Sequence, residues 1–108
     1  MNKIKNSYLY KIDETIDEMK STIKNAESVK SDQLLLIETI ESSANSEKFK
    51  KFVADLKDSV TDLEHQIEKL NYKLNKLTTL SSMMQKEKTV DEAISLIVEA
   101  FSIFTMEN

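Results

Sequence analysis

Glycine, proline, cysteine, tryptophan and arginine are all missing from this sequence of 108 residues, and each absence removes a class of answer. Without Gly, no residue takes a positive φ at low cost, so primed hairpin turns and phosphate-cradling loops lose their usual material. Without Pro there is no strong helix breaker. The lack of Cys removes disulfides, thiolate nucleophiles and zinc–thiolate sites together, and nothing points to an oxidising compartment. The lack of Arg removes the usual bidentate contacts to phosphates and base edges. No stretch reaches the roughly 18 apolar residues of a membrane span, and MNKIKNSYLYKIDE lacks the continuous apolar run of a secretory leader. These absences favour an all-helical chain in the cytoplasm of the producing cell or of its host.

What is present supports that expectation. Read from residue 46, apolar residues fall every three and four positions: Val53, Val60, Ile67 and Leu74 take one heptad position, and Phe49, Leu56, Leu63, Leu70, Leu77 and Met84 take its partner. This is the a/d seam of a coiled coil, sustained for about five heptads. The first half repeats the period with Leu9, Ile16, Ile23, Ile37 and Ala44 against Ile12, Met19, Ala26 and Ile40. Lys30 and Gln33 interrupt that seam, and Ser31 or Asp32 could cap a new start, so the first helix is read as either continuous or broken near residue 30.

Between the halves lies ESSANSEKFKKF, where Ser42, Ser43, Asn45 and Ser46 supply turn chemistry. The expected architecture is one helical domain over residues 1–108: helix one at about 3–44, helix two at about 46–87, folded antiparallel about residue 45. That folding sets Ile37 and Ile40 near Phe49 and Val53, Ile16 and Met19 near Leu70 and Leu74, and Leu9 near Leu80. A third helix, at about 90–105, opens with the capping box Thr89-Val90-Asp91-Glu92. It is apolar around more than half its circumference, which calls for cover from two sides, either as a third bundle helix or in an oligomer interface.

Candidate sites for chemistry are few. His65, the single histidine, stands near Asp62, Glu64 and Glu68, but its heptad position points away from the seam, and a bundle metal site needs several inward carboxylates and usually a second histidine. No metal, cofactor or catalytic residue is expected, and the protein is read as a non-enzyme. Lysine clusters such as Lys48, Lys50 and Lys51 alternate with acids in a chain of formal net charge −4, so nucleic-acid binding is not expected. The third helix carries Asp91, Glu92 and Glu99, followed by Glu107, where an interfacial membrane helix would carry Lys or Arg.

The remaining signal is surplus apolar surface. Leu34-Leu35-Leu36-Ile37 covers nearly every direction around a helix, so a two-helix seam cannot bury all four. The residues read as mediating self-association or partner binding are therefore Leu34, Leu35, Phe49 and Phe52 near the turn, with Ile97, Phe101 and Phe104 on the third helix. Tyr8, Tyr10 and Tyr72 are expected to cap the open end. The function read from this pattern is a protein–protein interaction module: an adaptor, assembly factor or inhibitor that packs helices on itself, with a dimer favoured, or on a larger protein.

A second reading comes from a likeness in plan. With Phe49, Phe52 and Leu56 just after the turn, the chain resembles the small helical-hairpin substrates of type VII secretion, whose turn is marked by Trp-x-Gly; this chain has neither residue. That resemblance would imply a secreted hairpin. A third reading is a structural component of a virus particle or other large assembly.

Overall fold

In its computed structural model the protein is described over residues 2–86 and 89–105. It consists of α1 (Asn2–Glu41), α2 (Lys50–Lys86) and α3 (Val90–Phe104), with no strand among the described residues. α1 and α2 pack antiparallel along their length into a rod 67 × 19 × 15 Å. The long dimension follows from the helices themselves, since α1 alone spans about 60 Å at 1.5 Å per residue.

α1 runs through residue 30 without a break. Lys30 solves its seam position by reaching across: its Nζ sits 3.5 Å from Glu64 Oε1 of α2. Gln33 has no such route, and its Oε1 is buried with no hydrogen-bond partner. One unpaired buried acceptor costs about 1–3 kcal/mol. Ile23 and Ile37 on either side are buried, and each contributes a comparable amount through apolar burial, about 1.5–3 kcal/mol. Continuity therefore wins over a break.

The hairpin register differs from the expected one by a few residues. Asp13 meets Ser81 and Lys30 meets Glu64, and both pairs are symmetric about residue 47, not 45. The turn explains the shift. With no residue at positive φ among the described residues, the chain reverses over residues 42–49 through overlapping short turns. Backbone N–H groups donate from Ser43 to Ile40 at 3.0 Å, from Lys48 to Asn45 at 3.1 Å and from Lys50 to Glu47 at 3.3 Å. Ser43 Oγ donates to the Ile40 carbonyl at 2.8 Å and accepts from Asn45 N–H at 3.3 Å.

Such a turn uses more residues than one closed by a left-handed glycine. The helices accordingly stop at Glu41 and restart at Lys50, where about 44 and 46 had been expected. Ala44 and Phe49, expected in the seam, lie in the turn and are exposed. The expected end of helix two at 87, the Val90 side chain and Glu107 lie outside the described residues.

Two clusters form the core. At the open end, Ile12 and Ile16 of α1 and Leu77, Leu80 and Met84 of α2 meet Leu96, Ala100 and Ile103 of α3. Leu9, Met19 and Leu74 pack against the same cluster, whereas Leu70, expected beside Ile16 and Met19, is not part of it. Near the turn, Ile37, Val53 and Val60 pack with Ile40 and Leu56. α3 thus folds back as a third bundle helix. Its start is held by Thr89 Oγ1, which accepts the Glu92 N–H at 3.1 Å, one half of the expected capping box. Ser81 occupies a seam position between the apolar layers, and it is satisfied there: its hydroxyl donates to Asp13 Oδ1 at 2.7 Å and accepts from Gln85 Nε2 at 3.4 Å.

Candidate interaction surface

The heptad frame decides which apolar residues the fold can hide. On α1, Ile37 faces α2 and is buried, Leu34 and Leu36 flank the seam on opposite sides, and Leu35 points directly away. Exposure follows that order: 46% for Leu34, 41% for Leu36 and 63% for Leu35. Phe52 is half-exposed on the flank of α2, and Phe49 is half-exposed in the turn with Lys48 Nζ 5.7 Å from its ring centre. The turn-end residues singled out from the sequence are therefore on the surface, though on different faces of the rod: Leu34 and Leu36 cannot meet one flat partner together.

The three residues singled out on α3 divide. Ile97 and Phe104 pack against the open-end core, and Lys11 Nζ lies 5.7 Å from the Phe104 ring centre. Phe101 is 61% exposed. Ile94 and Val98 stand beside it, also exposed. The spacing 94, 98, 101 is one face of a helix, opposite the buried Ala93, Leu96, Ala100 and Ile103. Ile94 and Val98 were not among the residues singled out. The signal for them was present in the excess width of the apolar arc, but its exposed edge is identifiable only once the buried edge is known. Of the three tyrosines only Tyr8 joins the open-end packing; Tyr10 and Tyr72 are exposed, with Lys76 Nζ 5.0 Å from the Tyr72 ring centre.

His65 is exposed on α2, and among the described residues no three His, Asp or Glu side chains come together as a metal-binding set. Among the described residues no helix is long and apolar enough to cross a membrane. An open groove of about 550 Å³ lies between α2 and α3, lined by Met83, Lys86, Asp91, Glu92, Ser95 and Leu96.

No family model, no curated protein and no solved structure matches this chain.

Proposed function

We propose that the protein is a non-enzymatic protein–protein interaction module of the cytoplasm, working as an adaptor, assembly factor or inhibitor by packing its helices against another protein surface, its own included. The observation that carries this reading is the apolar surface left after folding. Leu34, Leu35, Leu36, Phe49 and Phe52 on the turn half, and Ile94, Val98 and Phe101 on α3, are all at least 40% exposed. They interrupt a surface otherwise crowded with charge, in a chain with 31% charged residues. Exposed apolar side chains that share one face, as Ile94, Val98 and Phe101 do on α3, are the kind of surface on which proteins associate. Among the described residues no metal-binding set accompanies them, and steric action is the mechanism that fits.

The test uses a photo-crosslinking residue placed at Leu35, Phe52 or Phe101 in the full chain, expressed in the producing cell. Discrete crosslinked species at one or more of these positions, absent when the residue is placed at exposed His65, are the expected result. Equal, diffuse labelling at all positions, with the protein running at monomer mass, would refute the reading.

A further inference from the structure

α3 covers only half of the face on which it lies. Tyr8 of α1 and Leu80 of α2 pack in the cluster that α3 closes. Val29 and Leu36 follow Tyr8 by three and four heptads, and Phe52 precedes Leu80 by four. Residues whole heptads apart stay on one side of a supercoiled hairpin, so Val29, Leu36 and Phe52 stand on the α3 side of the rod, nearer the turn. They are 46%, 41% and 48% exposed. Between the covered and bare halves runs an open groove of about 410 Å³ lined by Thr22, Gln66, Lys69 and Leu70. This face is a step: raised by α3 at the open end, bare at the turn end.

We propose that the stepped face is the interface of an antiparallel homodimer, in which α3 of each copy rests by Ile94, Val98 and Phe101 on the Val29, Leu36 and Phe52 stretch of the other. The inference rests on the association reading above and names the occupant of one of its surfaces. A two-fold axis at mid-rod places the raised half of each copy over the bare half of its partner, so both steps are filled by one operation. Lengths agree: α3 spans 15 residues, about 22 Å, and the same length measured from Lys50 along α2 ends near residue 65, short of the part that α3 of the same copy covers.

Charge agrees as well. The described part of α3 carries Asp91, Glu92 and Glu99 and no basic residue, and the antiparallel placement brings its acidic start over Lys48, Lys50 and Lys51, which are all exposed. The six apolar side chains on each copy would remove roughly 500 Å² per partner before the polar rim is counted, against the approximately 800 Å² per partner of a standard stable interface. Leu34 and Leu35 lie on other sides of the rod and remain uncovered in the pair.

The experiment combines solution mass with crosslinking, which the absence of native Cys makes clean. Light scattering of the full chain should give about 24.8 kDa, twice 12.4 kDa. Phe52→Glu and Phe101→Glu should each raise the dissociation constant at least tenfold while leaving the helical circular dichroism unchanged, since both side chains are already exposed. Ile94→Cys mixed with Phe52→Cys should give a disulfide-linked pair on mild oxidation, and neither variant alone should link to itself.

A monomer at millimolar concentration, or a dimer in which Ile94→Cys or Phe52→Cys links to its own kind, would overturn the proposal. If the pure protein is monomeric yet residues 35, 52 or 101 still crosslink in the cell, the self-pairing is wrong and the association reading stands. If the dimer forms as described but nothing further crosslinks in the cell, the association is with itself alone.

Discussion

The two ends of the rod are built from the same kind of seam and buried to different depths. At the open end Ile12, Leu77, Met84 and Ala100 are completely buried, whereas the best-covered residues near the turn, Ile37, Val53 and Val60, keep 6–7% of their surface in contact with water. The difference is α3. Two helices can cover only the strip along which they touch, and side chains on the flanks stay half-wet; a third helix laid along the groove closes one flank completely. Leu80 shows it within one heptad column: it flanks the seam as Phe52 does, yet it is 2% exposed and Phe52 is 48% exposed. The turn end is therefore the half of the rod whose flanks stay half-wet.

A matched pair of substitutions breaks the comparison most sharply. Ile12→Ala at the open end should cost about 4 kcal/mol, near the top of the range for a fully enclosed Ile, and Ile37→Ala near the turn about 2 kcal/mol, because a site with a wet flank collapses more easily. Urea unfolding of each variant at low protein concentration measures both. Equal costs would mean that the third helix adds cover without adding packing. If the turn end is finished by a second copy, the Ile37→Ala cost should grow with protein concentration and the Ile12→Ala cost much less.

Smaller effects sharpen the picture between the two ends. Gln33→Leu removes the unpaired buried oxygen at mid-rod and should stabilise the protein by about 1 kcal/mol, read as a rise in thermal midpoint. Asp13→Ala deprives the buried Ser81 hydroxyl of its acceptor and should cost about 1 kcal/mol, an effect that Ser81→Ala in the same chain should largely cancel. Least of all, Lys57→Ala, which breaks the 3.3 Å contact with Glu41 beside the turn, should change stability by no more than about 0.5 kcal/mol, since both partners are more than half exposed.

Much of the fold was legible because periodicity is a local property. Val53, Val60, Leu77 and Met84 repeat at heptad spacing, and any helix that carries them buries that stripe. The capping box at Thr89 marked the start of α3 from four consecutive residues. The turn was harder. Eight residues of Ser, Asn, Lys, Glu, Ala and Phe can reverse in several ways when none is Gly, and the hydrogen bonds of Ser43, Lys48 and Lys50 that select one of them set the register two residues later than the simplest hairpin. Phe49 moved from the seam to the surface as a result.

The surface was legible only in outline. The run Leu34 to Ile37 announced surplus apolar area, and the width of the α3 stripe did the same, but which members would be left outside depended on where α3 came to lie. Ile97 and Phe104 went into the core of the chain, while Ile94 and Val98 stayed out.

The amino-acid sequence by itself determined an all-helical chain, the seam that joins its two long helices and the position of the third, because composition and a 3.5-residue period act through neighbours along one helix. Only the tertiary structure decided that α1 continues through Lys30 and Gln33, that the hairpin pivots at residue 47, and that α3 closes one half of one face. Those outcomes turn on contacts between residues far apart in the chain, such as Asp13 with Ser81 and Ile12 with Ala100 in one core, whose geometry no local pattern specifies.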